Sequence, residues 1–251
     1  VVGGAAVATG ATTATVVGRR GLEQCAFNLR NRPRETIGPV GLLVGILLLN
    51  AFVRDLSPEV SRLIGWNVTG TIYAIEGAFV AHLQSVATPT LTAVLSATYL
   101  SGYVFLLTFP FVAYASLETL RPLKRLVVAL SINYLVGLLL YTLFISYGPR
   151  NLLPVLVDPL LFETYPRTQI LTSQVNTNTN VFPSLHTSLS VTVARFAWQT
   201  RTAYPWWSRI AIPVAAGVVL STMYLGIHWG VDVVAGAILG LLSVRVANRC
   251  C

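Results

Sequence analysis

The chain has 251 residues, of which 54% are hydrophobic and 10% are charged, and its mean hydropathy is +0.68. Soluble domains average about 45–50% apolar and about 25% charged residues, so this composition excludes a soluble globular protein and predicts an integral membrane protein. The net charge of +8 does not indicate a nucleic-acid partner, because the basic residues are spread between apolar stretches instead of forming one stripe.

The N-terminal segment, residues 1–36, is predicted to precede a separate membrane domain over residues 37–251. Residues 1–18 are apolar, but no charged region comes before them, which argues against a cleaved signal peptide. They are a candidate for one extra spanning helix, and the basic stretch after them suits a cytoplasmic segment. The three cysteines are too few for a disulfide scaffold.

Apolar runs of about 17–25 residues mark membrane-spanning helices. Five runs fit this description: 37–53, 90–116, 123–146, 210–227 and 229–248. A sixth run, 184–200, contains Ser, Thr, His and Arg195, so it should face the bundle interior or snorkel from one end. The sequence therefore predicts an all-α integral membrane protein built as a bundle of six transmembrane helices.

Two connecting segments carry further signals. Residues 55–89 have apolar residues in helical rhythm broken by glycines, which predicts one or two short helices at the membrane surface. Within them, Glu76 is expected on a solvated face and His82 as an interfacial structural residue. Residues 147–183 form the longest polar connection, and because they lead directly into His186 we expect them to be functional.

The basic residues divide unevenly between the two sides of the predicted bundle. Of the 17, only Arg54, Arg62, Arg150 and Arg167 fall on the poorer side, which leaves 13 on the other. The positive-inside tendency makes the richer side cytoplasmic. The preference for Arg, 16 against one Lys, suggests a prokaryotic source, and hence the plasma membrane.

Two histidines and an aspartate form the candidate catalytic set. The segment LGIHWGVD places His228 and Asp232 four residues apart, a spacing that puts both on one face of a helix. The carboxylate then accepts a hydrogen bond from one imidazole N–H and leaves the other ring nitrogen as a nucleophile of fixed tautomer. The segment FPSLHTS adds His186, and the alternation of the spans puts both segments and Arg150 at the non-cytoplasmic surface.

These residues resemble the three-part signature of the type 2 phosphatidic acid phosphatase superfamily, KxxxxxxRP, PSGH and SRxxxxxHxxxD. The second part reads PSLH over 183–186, the third reads STMYLGIHWGVD over 221–232, and the first survives as YGPRN around Arg150. The resemblance covers most of residues 37–248. It implies an enzyme that works on a lipid phosphate or phosphodiester.

The resemblance also implies a role for each residue. His228 would attack phosphorus to give a phosphohistidine, with Asp232 holding its tautomer, and His186 would act as general acid and base. Ser184, at a predicted helix start, and Arg150 would bind the phosphate oxygens. No Cys/His cluster has metal-ligand spacing, so no metal or cofactor is expected.

Four positions depart from the family pattern. The first-motif Lys is replaced by Leu143 and the third-motif Arg by Thr222, while Asn151 and Leu185 stand for a Pro and a Gly. Arg167 is a candidate replacement for the missing cationic ligands. Together, FPSLH and TMYLxxHxxxD without its Arg look most like the inositol phosphorylceramide synthase branch, whose members transfer a phosphoryl head group between lipids.

Other functions stay open at the sequence level. Water or an alcohol can resolve the phosphohistidine, so the motifs do not separate a phosphatase from a phosphotransferase. A transporter could also hold intramembrane His and Asp, but we find no internal repeat or matching broken helices. Haloperoxidases with a related site are soluble, which this chain is not. The expected partners are the lipid substrate and membrane lipids, and the oligomeric state is not predicted.

Overall fold

The fold was obtained as a computed structural model, which describes residues 2–166, 168 and 181–251. Its helices α1 to α13 cover, in chain order, Val2–Thr12, Gly18–Asn31, Pro33–Ile64, Thr69–Glu76, Phe79–Gln84, Pro89–Ala97, Tyr103–Ala115, Arg121–Leu143, Pro149–Leu152, Leu160–Thr164, Leu185–Gln199, Pro205–Tyr224 and Gly230–Cys250. Short π-helical turns, Thr13–Val17 and Thr98–Gly102, join α1 to α2 and α6 to α7. Helices dominate because apolar segments must satisfy their backbone groups internally when they lie in lipid.

Five helical segments of the described chain are long and apolar enough to cross a membrane. They are Pro33–Val53, Pro89–Ala115, Arg121–Leu143, Pro205–Tyr224 and Gly230–Cys250, and they match the five strong sequence predictions. Several begin with Pro in the first helical turn, where its missing N–H costs no hydrogen bond. The all-α membrane class is therefore confirmed, with five candidate spans.

The sixth predicted span corresponds to α11, and its crossing is not confirmed. With 15 residues it is about 22 Å long by the helical rise, shorter than a bilayer core. It packs against α7, α8, α12 and α13. Its Ser188, Leu189, Val193 and Phe196 side chains are all buried. Its Ser and Thr side chains therefore face the bundle interior, as predicted, whereas Arg195 is exposed near one end of the helix.

The N-terminal part differs from expectation in one respect, the length of α3. Helix α1 has 11 residues and packs against α7, and a crossing of the membrane by residues 1–18 stays a prediction. Helix α3 continues to Ile64, so the predicted surface segment begins inside it, and short helices form only over Thr69–Glu76 and Phe79–Gln84. A two-residue parallel pairing, β1 (Trp66–Asn67) with β2 (Phe144–Ile145), then ties the end of α3 to the end of α8.

The backbones of α11 and α13 are in close contact. A Cβ added to Gly236 would lie 2.3 Å from the Ser184 carbonyl oxygen, and one added to Gly240 would lie 2.5 Å from that of Ser188. Such distances leave no room for any side chain, so the two glycines allow the backbones to touch, as small residues do between membrane helices. The spacing of four places both glycines on one face of α13.

Candidate active site

Four segments meet at one end of the bundle, which we call the site end: α9, the start of α11, the loop 225–229 and the start of α13. The Arg150 N–H donates to the Gly226 carbonyl at 3.1 Å, and the Ser184 N–H donates to the Asp232 carbonyl at 3.0 Å. The Trp229 indole Nε1–H donates to the Tyr147 carbonyl at 2.9 Å. The structure thus brings together all three motif segments that the sequence singled out.

His228 and Asp232 are neighbours, although the predicted cause of their contact is wrong. His228 lies in the loop before α13, whose N-cap is Trp229, so the two residues do not share a helix face. Asp232 is instead the third residue of α13, and its Oδ2 accepts the Trp229 N–H at 2.9 Å. Because that carboxylate turns back toward the helix start, the same oxygen lies 3.5 Å from His228 Nδ1.

The His228 backbone is fixed by the end of α12. The N–H groups of Ile227 and His228 both donate to the Thr222 carbonyl at 3.0 Å, and Gly226 supplies a φ of +68° for the reversal. The Thr222 hydroxyl donates to the Val219 carbonyl at 2.7 Å, and the side chain is fully buried. The residue that stands for the family Arg therefore shapes the loop through its backbone.

His228 is almost fully buried, with 1% of its surface exposed. Its pKa is lowered to about 3, mainly by burial; a backbone contact with Val181 raises the pKa, and the Arg150 charge lowers it. The imidazole is therefore neutral at neutral pH, which is the nucleophilic form.

His186 lies opposite His228 across the site. Their ring centroids are 5.8 Å apart with planes inclined by 59°. The His186 ring also packs against the rings of Tyr99 and Tyr103, at centroid distances of 4.9 and 4.6 Å. These two tyrosines come from the π-helical turn and the start of α7, and their rings limit the movement of the imidazole.

Ser184 and Arg150 lie where the sequence placed them. The buried Ser184 is the N-cap of α11, and its Oγ accepts the Thr187 N–H at 3.3 Å while its hydroxyl proton stays available to an anion. The Arg150 guanidinium lies over the Phe162 ring at 4.4 Å. Its Nη1 is buried and has no hydrogen-bond partner among the described residues. Burial lowers the Arg150 pKa from its usual value, but the group stays charged.

The three remaining positions of interest have different outcomes. Leu143, at the family Lys position, is the last residue of α8 and is 37% exposed. Arg167 lies outside the described residues, so its role stays a prediction. Leu185, at the family Gly position, extends toward α8, where a Cβ on Gly137 would lie 2.6 Å from its Cδ2. Gly137 therefore leaves the space that Leu185 occupies.

Glu76 is a site residue that the sequence reasoning missed. It was expected on a solvated face, but its carboxylate accepts the N–H groups of Gly230 at 2.8 Å and Val231 at 3.0 Å. These are free donors at the start of α13, where a carboxylate also offsets the positive end of the helix dipole. Glu76 thereby fixes the helix turn that carries Asp232. Its isolation among apolar neighbours was the available signal.

A groove of about 490 Å³ opens beside the site end. Its walls are almost entirely apolar and include Ile75, Phe79, Val234 and Ile238. Phe182, which comes just before Pro183 and Ser184, also lines it, together with Gly230 and Val231. The groove therefore adjoins the second and third motif segments directly. Among the described residues, no group of three or more His, Cys, Asp or Glu is placed to hold a metal.

Comparison with known families supports the same segments. Residues 74–246, more than half of the chain, match a family model described as the PAP2 superfamily. Searches of curated proteins and of solved structures found no match. The matched range begins two residues before Glu76 and includes every residue of the site described above.

Proposed function

This chain belongs to the PAP2 superfamily, and from that premise we propose a membrane-embedded, metal-independent phosphatase or phosphotransferase that acts on a lipid phosphate or phosphodiester. Family membership itself indicates a phosphatase-type enzyme, and the apolar helices place it in a membrane. The observation that carries the proposal is the meeting of His228, Asp232, His186 and Arg150 at one end of the bundle.

The first chemical step is attack by His228 on phosphorus. Nδ1 faces Asp232, so Nε2 is the nitrogen that forms the P–N bond as the bond from phosphorus to the leaving oxygen breaks. The imidazole gains positive charge in this step. The Asp232 carboxylate stabilises that charge and orients the ring, as the acid of a hydrolytic triad does.

His186 is placed for proton transfer. Its ring lies 5.8 Å from that of His228, a gap that suits a phosphoryl group between them. It would protonate the leaving alkoxide and then take a proton from the incoming water or alcohol, whose oxygen displaces His228. Such general acid–base catalysis typically contributes about 10²- to 10⁴-fold.

Three groups are suited to the non-bridging phosphate oxygens. Arg150 has a buried, unpartnered Nη1 within the described residues and stands close enough to His228 to affect its pKa. Ser184 offers its hydroxyl, and the first N–H groups of α11 add the positive end of a helix dipole. Arg167 remains a further candidate from the sequence.

The apolar groove beside the site supports a lipid substrate. It adjoins Gly230 and Phe182, so a phosphate held at His228 would let an attached hydrocarbon chain extend along Val234 and Ile238. Its acidic residue, Glu76, already binds two backbone N–H groups and would repel the anionic head. The groove therefore suits the hydrocarbon chain of the substrate, and the anionic phosphate would lie at His228 and His186. We place this site end at the non-cytoplasmic membrane surface.

Head-group transfer is the second candidate, and two substitutions favour it. Thr222 and Leu185 replace the family Arg and Gly. The Thr222 carbonyl accepts the N–H groups of Ile227 and His228, and Gly137 leaves space for the Leu185 side chain. These departures are the ones that resemble the inositol phosphorylceramide synthase branch. Both candidates share the first half-reaction and differ in whether an alcohol or water resolves the phosphohistidine.

The decisive experiment measures phosphate release by the purified protein in detergent with EDTA, on phosphatidate, lysophosphatidate and an isoprenoid diphosphate. Wild type should release phosphate, and His228→Ala should not. His82→Ala is the matched control, because His82 is exposed and bonds only locally to the Ala78 carbonyl. Equal release by wild type and His228→Ala would overturn the proposal for His228.

If wild type releases no phosphate, the same proteins are supplied with a labelled phospholipid and an alcohol acceptor. Transfer that depends on His228 would then establish the phosphotransferase. Absence of both release and transfer on these substrates would count against the enzymatic proposal as stated.

A further inference from the structure

A second groove lies away from the active site, between α11, α12 and α13. It encloses about 480 Å³ and is lined mainly by small and aliphatic side chains, including Val191, Ala216, Leu220 and Leu241. Along α12 it reaches from Ile212 to Met223, which is about 16 Å by the helical rise. Its length and its lining therefore suit one acyl chain.

Arg195 makes this groove unusual for a lipid-facing surface. It is the charged residue of the described lining, it is exposed, and it lies four residues before the end of α11. Among the side chains that the structure describes, no carboxylate lies within ion-pairing distance of it. A cation in such apolar surroundings is costly unless it extends to the head-group level or finds an anion there.

Aromatic and basic residues near Arg195 indicate where the lipid head groups lie. Trp198 lines the groove beside Arg195, and the Arg201 guanidinium lies over its ring at 4.5 Å. At the start of α12, Arg209 lies over the Trp206 ring at 4.8 Å. Tryptophan and arginine at one helix end are typical of the cytoplasmic membrane interface, where anionic lipid head groups concentrate.

We propose that this groove binds one anionic phospholipid of the cytoplasmic leaflet, with an acyl chain against Val191, Ala216 and Leu220 and the head-group phosphate on Arg195 and Arg201. The binding is non-covalent and separate from the catalytic site, because the groove contains neither histidine of that site. Arg201 uses Nη1 for the Trp198 carbonyl, and its other N–H donors remain for phosphate.

Native mass spectrometry of the full chain in detergent tests this, with dioleoyl phosphatidylglycerol and dioleoyl phosphatidylcholine as probes. Wild type should retain phosphatidylglycerol in preference to phosphatidylcholine. Arg195→Gln should weaken that retention about tenfold, the size of one charge-assisted hydrogen bond. Arg249→Gln is the matched control, since Arg249 is also exposed and near the end of a helix but lies outside the groove.

Two more variants make the outcome decisive. Ala216→Trp fills the groove from an exposed position without changing charge, and it should abolish retention even if Arg195→Gln cannot be purified. His228→Ala should bind as wild type does. Equal retention of the two lipids, unchanged retention in Arg195→Gln or Ala216→Trp, or loss in His228→Ala would each overturn the proposal. The last result would place the lipid at the catalytic site.

Discussion

A single oxygen of the Asp232 carboxylate contacts two neighbouring residues. Oδ2 accepts the Trp229 N–H at 2.9 Å and lies 3.5 Å from His228 Nδ1, while Oδ1 is buried with no hydrogen-bond partner among the described residues. A contact of 3.5 Å is too long for a strong hydrogen bond. It can shorten when His228 becomes cationic during phosphoryl transfer, because the attraction then joins two full charges.

We expect Asp232→Asn to lower kcat by about 10²- to 10⁴-fold, because the amide holds the tautomer poorly and cannot stabilise the imidazolium. The amide oxygen can still accept the Trp229 N–H, so thermal stability should change little. Asp158→Asn is the control: Asp158 is exposed, and Gln84 bonds only its backbone N–H and carbonyl. A variant Asp232→Asn with wild-type kcat would remove Asp232 from the mechanism.

The buried, neutral His228 should make stability depend on pH. Its folded-state pKa of about 3 lies below the ordinary value, so the unfolded chain takes up the proton first as pH falls. The stabilisation is complete above about pH 6.5 and declines below it, by at most ~1.4 kcal/mol per pH unit. We expect the melting temperature to fall between about pH 7.5 and about pH 5 less steeply in His228→Gln than in wild type. Identical slopes in His228→Gln and wild type would contradict this assignment.

At the level of single residues, the sequence predicted which residues lie at the site better than it predicted which residues they contact. His228, His186, Arg150 and Ser184 were chosen from their motif context, and the structure places them together. The location of Glu76 could not be predicted, because its partners Gly230 and Val231 lie 154 and 155 residues further along the chain. Local hydrophobic rhythm reports which face of a helix is apolar and contains no information about a distant helix end.

At the level of elements, the packing of α11 on α13 places the second motif beside the third. The Ser184 N–H donates to the Asp232 carbonyl. Because Gly236 has no Cβ, the Ser184 carbonyl can approach the backbone of α13 closely. Deeper in the bundle, the Asn133 amide of α8 donates to the Thr192 hydroxyl at 3.1 Å, and the Ser188 hydroxyl donates to the Asn133 amide oxygen. Polar contacts of this kind between membrane helices set their register.

Gly240→Ala tests this packing. Its Cβ would lie 2.5 Å from the Ser188 carbonyl oxygen, which is backbone and cannot move alone, so the helices must separate. We expect the free energy of unfolding to fall by about 1–3 kcal/mol, as overpacked cores do. Thermal unfolding in detergent measures this. Gly41→Ala in α3 is the matched control, because a Cβ there meets nothing within 4 Å. Equal stability of both variants would show that the contact is not tight.

The helices themselves were largely predictable, and their ends were not. Long apolar runs identified five spans because their composition alone meets the bilayer requirement. The extension of α3 to Ile64 was missed, since the polar residues after 53 marked the end of the apolar run and not of the helix. The placing of His228 on one helix with Asp232 was also wrong, because Gly226 and the Thr222 carbonyl create a turn that the hydrophobic pattern does not reveal.

At the scale of the whole molecule, alternation of the spans brings the motifs to one end. The opposite end carries most of the basic residues, including Lys124, which pairs with Glu35 at 2.7 Å, and Arg32, which donates to the Glu118 carbonyl. Cys250 and Cys251 lie at that end as well, because α13 starts at the site end and its 21 residues extend about 31 Å.

If the positive-inside tendency holds, the site end faces away from the cytoplasm. A membrane-impermeant maleimide should then label Val155→Cys in intact cells, since Val155 is 92% exposed in the segment between α9 and α10 at the site end. The native Cys250 and Cys251 are exposed internal controls and should react only after permeabilisation. Labelling of the native thiols in intact cells, with Val155→Cys protected, would reverse the orientation. The proposed substrate would then have to come from the cytoplasmic leaflet, and the groove at Arg195 would face the opposite leaflet from the one proposed.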